Sequence, residues 1–463
     1  MNDNIHTTEI VHLNSWNQLL AQHQEQQLST LLSHAPPVEI SDFLLQQSPA
    51  TALKILTPLP QPLQGSVFAE LDGSYQLSLY QLASKKNFAA IFSHMPSDDR
   101  ADFYQRLGDK EQARLFPYLT KRIREDVIAL SAYPAKTAGG IMSTDFATVL
   151  EDMTVKQATK KLREDSPSKK MIYYLYVVDK SMRMIGFVSL KDLIMAAPQD
   201  QVLTILHENF IYATVDEDQE KVAELIEKYD LIAIPILNEE KQLVGIVSYD
   251  DAMDVLRVEQ TEDMEKFMGI VSKETDTDYL DASSFQHFQK RIAWVVGLFI
   301  AGSLSSLVIH KHEAILGRIT VLALYLPMIA DTGGNAGSQA ASVVIRALSL
   351  GQVTLGHWLS IILKEAKIAL LLAFSLFFLA FAKVMILSGH THVGCHSVYR
   401  LAFAIGLALS LQVVTATVIG AALPLIAKYF NGDPAVAASP AITTIVDITG
   451  MSIYFAIALA LVA

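Results

Sequence analysis

Leu326-Pro327-Met328-Ile329-Ala330-Asp331-Thr332-Gly333-Gly334-Asn335-Ala336-Gly337-Ser338-Gln339 lies inside an apolar stretch, Ile319 to Ile345, long enough to cross a bilayer. A helix built only to face lipid has no use for Pro, Asp, Asn, Gln and three Gly there. Asp331, Asn335, Ser338, Gln339 and Ser342 recur at three- and four-residue steps, on one helical face. The glycines allow close backbone approach, and a loosened helix would offer carbonyls to a water-lined path. The segment reads as pore lining. The alternative is a tight small-residue crossing with polar glue, which accounts for Gly and Ser but less well for Asp331.

Four more apolar stretches accompany it: Ile292 to Ile309, Leu359 to Leu387, Val398 to Ala427 and Ala435 to Val462. Together they make five candidate crossings, each near the roughly 20 residues a bilayer requires. The last carries a single charge, Asp447. A carboxylate at membrane depth is costly, with scales spanning about 2.5 to 17 kcal/mol, and is kept where it meets a cation, a countercharge or water. Thr443 and Thr444 precede it by four and three residues, and Gly450 and Met451 follow at the same offsets, so small and polar groups share its face. Asp447 reads as a cation-pathway residue; the alternative is a protonated, packed acid.

The 463 residues allow two or three domains. From Lys290 onward ten basic residues face five acidic ones, whereas the residues before it carry 26 basic and 43 acidic. An acidic half joined to an apolar half describes a membrane protein with a cytosolic attachment, whose charge disfavours nucleic acid and draws divalent cations. Met1 to Leu20 has neither a basic start nor an apolar core, so no secretory signal is expected and the N-terminus is expected in the cytosol. Five crossings then leave the C-terminus outside, with Arg346, Lys364 and Lys367 in or beside an inside loop. Lys311 and Arg318, in the first outside loop, run against that bias. Cys395 is alone, which excludes an intrachain disulfide and a Cys-based zinc cluster. No nucleophile–base pair, Walker loop or zinc motif points to an enzyme; His390, His392 and His396 fall together in one outside loop.

Up to about Tyr133 the chain reads as short amphipathic helices around Leu28 to Leu32, Phe43 to Leu45, Phe88 to Phe92 and Ile123 to Leu130. Prolines at 36, 37, 49, 58, 60, 62 and 96 punctuate them, as stacked helical hairpins require. From about Thr137 to Arg257 the chain repeats itself. Ile185-Gly186-Phe187-Val188-Ser189-Leu190-Lys191-Asp192-Leu193 matches Val244-Gly245-Ile246-Val247-Ser248-Tyr249-Asp250-Asp251-Ala252 at a shift of 59. Each unit reads helix (Val155 to Arg163; Gln219 to Lys228), strand, turn, strand, helix. An acidic, helix-prone stretch with Asp251, Asp254, Glu259, Glu262 and Asp263 then leads to Arg291 and the first apolar segment.

The doubled ending, apolar-Gly-apolar-apolar-Ser-x-x-Asp, resembles a tandem pair of CBS domains. Gly333-Gly334-Asn335-Ala336-Gly337-Ser338-Gln339 resembles the signature of the MgtE family of magnesium channels and transporters. Asp433-Pro434-Ala435, Pro440, Thr443-Thr444, Asp447-x-x-Gly450 and Tyr454 agree with that family's final crossing. The resemblance covers nearly the whole chain and implies a multidomain fold. Its parts are an all-α helical N domain (1–134), an α/β tandem CBS module (137–197 and 198–257), a connecting plug helix (258–288) and an α-helical membrane domain of five transmembrane helices (289–463). It further implies a homodimer in the lipid of the plasma membrane, with a pore between the two membrane domains that closes when cytosolic Mg2+ is abundant.

Position by position, the resemblance makes Asp447 a pore aspartate holding a hydrated cation. That role suits Mg2+, which keeps several waters and touches one or two carboxylates. It places Asp433 at the cytoplasmic end of the fifth helix and Ser439 near the site, with Thr443, Asn335 and Asp331 in the polar lining. Asp218, Glu220, Asp230, Asp251, Asp254, Glu259, Glu262 and Asp263 match regulatory acids, whose mutual repulsion bound Mg2+ would relieve. The CBS resemblance implies an adenine nucleotide such as ATP near Tyr174, Lys191 and Asp192, although CBS pairs also serve as dimerisation modules without a ligand. The N domain departs from the family's His-Pro-Ala-Asp-type repeats. Ala35-Pro36-Pro37-Val38-Glu39-Ile40 stands there, and Met95 to Asp102 is the better-preserved turn, offering Asp98 and Asp102 as magnesium ligands. Gln352 stands where many members carry Glu. The function implied is a magnesium-selective channel or transporter. Two alternatives stand beside it: the same scaffold carrying Co2+ or Mn2+, and a CBS-regulated membrane sensor with a dry core and no transport.

Overall fold

Prolines in the N-terminal region open helices instead of ending them. The computed structural model of the chain describes residues 13, 15–165, 171–271, 282–388, 398–436 and 439–462; Cys395, His390, His392 and His396 lie outside these. From Glu25 to Leu130 run α1 (Glu25–Leu32), α2 (Pro37–Leu45), α3 (Pro49–Leu56), α4 (Gln61–Ala69), α5 (Gly73–Leu82), α6 (Lys85–Ser93), α7 (Ser97–Arg106), α8 (Asp109–Leu115) and α9 (Lys121–Leu130). Pro37, Pro49 and Pro62 sit in the first turns of α2, α3 and α4, where a missing N–H loses no hydrogen bond and the fixed φ suits the helix. Apolar residues at helical spacing then meet in one core, in which the rings of Phe68, Phe88 and Phe103 lie 5.2 to 5.4 Å apart.

The repeat folds as two copies of one unit. The first comprises α10 (Ala138–Ile141), β1 (Phe146–Leu150), α11 (Val155–Asp165), β2 (Met171–Val178), β3 (Met184–Ser189) and α12 (Leu190–Met195). The second comprises β4 (Ala213–Thr214), α13 (Gln219–Lys228), β5 (Ala233–Leu237), β6 (Leu243–Ser248) and α14 (Tyr249–Phe267). In each sheet the first two strands pair parallel and the last two antiparallel. The 59-residue shift extends to the turns: the hairpins bend at Met182 and Lys241, at φ of 62° and 61°. Each ending serine starts the helix that follows. Ser189 Oγ donates to Asp192 Oδ2 at 2.5 Å, and Ser248 Oγ donates to Asp251 Oδ2. The Ser-x-x-Asp pattern is therefore a helix start used twice. In the first copy that helix stops after 6 residues; in the second it runs for 19 and carries the acidic stretch.

The chain divides into two compact units at Glu259–Gln260. The second unit contains α15 (Ser284–Lys311), α16 (Glu313–Arg318), α17 (Leu326–Ser349), α18 (Trp358–Ser388), α19 (Val398–Tyr429) and α20 (Ser439–Leu461). Four of these, α15, α18, α19 and α20, are long and apolar enough to cross a membrane. The 24 residues of α17 give it the length, and its polar residues keep it out of that class. The segment expected to be helical from Ile319 becomes an α-helix only at Leu326, after a 3-10 turn over Thr320–Tyr325, because Pro327 belongs to a helix's first turn. Likewise the stretch expected from Ala435 begins at Ser439, after a 3-10 turn over Pro434–Val436. Asp433 Oδ1 caps that turn, accepting from the Ala435 amide at 2.8 Å. Helices α17, α19 and α20 pack so closely that a Cβ on Gly420 would meet the Gly337 carbonyl oxygen at 2.1 Å. Elsewhere in the unit Tyr454 Oη donates to the Leu322 carbonyl at 2.8 Å, and Tyr325 Oη lies 2.7 Å from Ser388 Oγ.

Candidate functional site

The two faces of α17 do different things. Gly333, Gly334, Gly337, Ala340, Ala341 and Val344 are buried, the glycines against α19 and α20. Asp331, Asn335, Gln339 and Ser342 are exposed on the other side. Ser338, expected to join them, is half-buried and accepts from Ser439 Oγ at 2.9 Å. The helix is not loosened, as its glycines had suggested. It is continuous from Leu326 to Ser349, because the glycines provide close packing and the carbonyls stay in the helical ladder.

On α20, Asp447 is half-buried, with Oδ1 lacking a hydrogen-bond partner among the described residues. One turn before it Thr443 packs on α17, where a Cβ on Gly334 would come within 2.9 Å of Thr443 Cγ2. The hydroxyls around Asp447 are turned onto their own helix. Thr443 donates to the Ser439 carbonyl at 3.1 Å, Thr444 to Pro440 at 3.0 Å, Thr449 to Val446 at 3.0 Å and Ser452 to Ile448 at 2.8 Å. Such back-bonding leaves the hydroxyls no free donor. Asp331 lies three residues before Gly334 and Asp447 four after Thr443; carboxylates that approach one another in an apolar helix bundle repel, and a divalent cation between them removes the repulsion. Mg2+ suits that geometry, since it needs only one or two carboxylates and brings its own waters.

Asp433, just before α20, does not stand alone. Its Oδ2 lies 2.9 Å from Lys266 Nζ, and the same ammonium is 2.8 Å from Glu262 Oε1. Burial works against the ammonium, yet the hydrogen bonds to Glu262 and Asp433 outweigh it and hold the Lys266 pKa above the ordinary lysine value. The other regulatory candidates are dispersed. Asp218 caps α13, accepting from the Glu220 amide at 2.8 Å. Glu259 accepts from Gln219 Nε2 at 2.6 Å, and Asp254 pairs with Arg257 at 3.3 Å. Asp251 holds the Ser248 hydroxyl, Asp230 sits in a turn at φ of 51°, and Asp263 lies on α14. Asp98 and Asp102 are one turn apart on α7. Among the described residues no three acidic, His or Cys side chains gather into a group that could hold a metal ion. A Mg2+ ion with its waters needs fewer; Glu262 and Asp433 are brought together on the Lys266 ammonium.

In the first CBS-like copy the residues singled out for a nucleotide do come together. Tyr174 meets Phe187 edge-on at 5.1 Å, Phe187 stacks on His207 at 5.1 Å, and His207 Nε2 is 2.9 Å from Asp192 Oδ2. The Ser189 hydroxyl above all, with His207, holds the Asp192 carboxyl below the usual carboxylate range. Lys191 is exposed next to it. Phe187 and His207 were not singled out in the sequence. Phe187 lies within the repeated motif; His207 bridges Phe187 as Ser143 bridges Ile246 in the second copy, a symmetry visible only once the strands are placed.

Residues 326–457 match the family model of MgtE divalent cation transporters, residues 35–136 the MgtE intracellular N domain, and residues 138–198 and 202–258 two CBS domains. The chain is 36% identical over 407 residues to the magnesium transporter MgtE of Thermus thermophilus, covering 87% of this chain and 88% of that protein. It is 31% identical over 396 residues to the magnesium transporter MgtE of Bacillus subtilis, covering 86% and 85%. The solved cytosolic domain of the Mg2+ channel MgtE in complex with ATP is 33% identical, with a TM-score of 0.50 over 52% of this chain and 99% of that one. A helical N domain, a tandem CBS module and a multi-pass helical membrane region thus follow one another in a chain that belongs to the MgtE family of magnesium transporters.

Proposed function

We propose that the chain forms a magnesium-selective channel of the plasma membrane, a homodimer whose pore passes the polar face of α17 and Asp447. The observation that carries this reading is the half-buried Asp447, whose Oδ1 has no hydrogen-bond partner among the described residues, on a helix packed against the glycines of α17. Asn335 and Thr443 extend that lining, and Ser439 and Asp433 flank it toward Lys266. The N-terminus is cytosolic and the C-terminus outside, in line with the positive-inside rule at Arg346, Lys364 and Lys367.

Cytosolic Mg2+ closes the pore by binding acids of the second CBS copy and of α14: Asp218, Glu220, Asp230, Asp251, Asp254, Glu259, Glu262 and Asp263, with Asp98 and Asp102 in the N domain. A divalent ion at Glu262 and Asp433 replaces the Lys266 ammonium there, giving the ion different affinities for two states. ATP binds beside Tyr174, Lys191 and Asp192, as the ATP complex of a related cytosolic domain suggests. The Tyr174 and Phe187 rings receive the base, and the ribose shares Asp192 with His207. The nucleotide supplies binding energy to the module and no chemistry.

Mg2+ flux into proteoliposomes at low sensor-side Mg2+ tests the reading, with the Asp447→Ala form alongside. Saturable flux that disappears in the variant is the expected result. Wild-type flux in Asp447→Ala removes that carboxylate from the path, and Mn2+ transport undisturbed by excess Mg2+ assigns the pore to another ion. No flux from folded, inserted protein favours a sensor.

A further inference from the structure

Gln412 stands in α19 and is completely buried, at 0% exposure. An apolar side chain would fill the same space without desolvating an amide. Its Nε2 donates to the Val446 carbonyl of α20 at 2.8 Å, while Oε1 is buried with no partner among the described residues. Backbone clamps the group on two sides. A Cβ on Gly333 of α17 would come within 2.4 Å of Nε2, and one on Gly450 of α20 within 2.4 Å of Nε2 and 2.5 Å of Cδ. The carboxamide therefore fills the notch that these two glycines leave open, at the junction of all three helices.

The acceptor gives this position its meaning. The Val446 carbonyl belongs to the peptide group whose nitrogen is that of Asp447. Because that group is planar, a donor that holds its oxygen also holds the plane from which the Asp447 side chain departs. The same oxygen takes the Thr449 hydroxyl at 3.0 Å, so it is gripped twice by side chains. Gly333, on the other flank of the carboxamide, lies two residues from both Asp331 and Asn335.

We propose that Gln412 is a positioning residue: through the Val446 carbonyl it sets the direction of the Asp447 carboxylate, and so sets how tightly the pathway holds a divalent cation. It does not touch the ion. The inference rests on the reading of Asp447 as a cation ligand.

The test is Mg2+ flux into proteoliposomes carrying the full chain or Gln412→Met, which keeps the length of the side chain and cannot donate. Supporting groups behind a metal ligand typically change affinity by about 10- to 100-fold, so the half-saturating Mg2+ should rise at least about tenfold. Maximal flux should stay within about threefold, the signature of altered binding. Unchanged half-saturation overturns the proposal. Two further variants separate orientation from packing and decide the matter if Gln412→Met does not fold. Gly450→Ala displaces the carboxamide and should raise half-saturation in the same way. Gly450→Ala with Gln412→Ala has room for the added methyl but no donor. If Gln412 only fills space, the double variant returns to wild-type half-saturation and the proposal falls; if it orients Asp447, the rise persists. Asp447→Asn is run alongside. Wild-type flux there sinks the pore reading of Asp447 itself, whereas lost flux there with a wild-type Gln412→Met sinks only the positioning role.

Discussion

Asp192 and Asp447 are both half-buried aspartates on helices, one in the CBS module and one in the membrane region, and their surroundings are opposite. Asp192 takes the Ser189 amide at 3.2 Å, the Ser189 hydroxyl at 2.5 Å and His207 Nε2 at 2.9 Å. Asp447 leaves one oxygen with no donor among the described residues. Three donors converge on one Asp192 oxygen, Oδ2, and that oxygen holds structure together. One left open where water is scarce keeps its charge only beside a cation or a wet path. The difference teaches where to look for function in this chain: at the polar group the fold has not satisfied.

The sharpest way to break the contrast is to neutralise the open acid. Asp447→Asn should bring Mg2+ flux down to that of empty vesicles while leaving the unfolding temperature in detergent unchanged or higher; a drop in stability would make Asp447 structural after all. Next in size is the junction that brings α17 and α19 together. Gly420→Ala puts a methyl into the Gly337 backbone and should cost about 1–3 kcal/mol, read as a lower unfolding temperature; a neutral result would mean the helices are not in close contact. On the satisfied side, Ser189→Ala removes a helix cap worth about 1 kcal/mol. Amide exchange in α12 should speed up several-fold, and no change would show the cap to be idle.

The smallest effects are electrostatic and depend on pH with opposite signs. The Asp192 carboxyl is held below its ordinary value, chiefly by the Ser189 hydroxyl. Its contribution is complete above the unfolded value of about 3.9 and is lost as pH falls through the folded value. Lys266 is held above its ordinary value: burial opposes the charge, and Glu262 and Asp433 overcome that. Its contribution is complete below about pH 10.4 and fades as pH rises through the folded value. About 29% of the Lys266 side chain is exposed, so Lys266→Met should cost no more than about 1 kcal/mol, measured as exchange at the start of α20.

Local rules made much of this legible in the sequence. A repeat detectable by sliding the chain on itself becomes two sheets of the same register, down to the paired turns at Met182 and Lys241. Prolines and polar residues at helical spacing foretold the short N-terminal helices and the exposed face of α17. What stayed hidden depends on contacts between distant segments. Lys266 and Asp433 are 167 residues apart; nothing near either announces the other. Gln412 is a polar residue within the apolar stretch Val398 to Ala427 that drew no expectation, and only its fit between Gly333 and Gly450 shows why it is there. The glycines of α17 were ambiguous by nature, since the same lack of a side chain serves a loosened helix or a close-packed one, and packing decided.

The inward-turned hydroxyls of α20 have a consequence for which ions can approach. Thr443, Thr444, Thr449 and Ser452 give their protons to carbonyls of their own helix. What the side chains still present outward is lone pairs, which accept and do not donate. Water around a dissolved cation points its hydrogens away from the ion, whereas water around an anion points its oxygens away. An outward lone pair matches the outer surface of the first shell and mismatches the second. Where such a hydroxyl borders the proposed pathway, as Thr443 does in that reading, it favours the hydration layer of a cation before a single water has to be stripped.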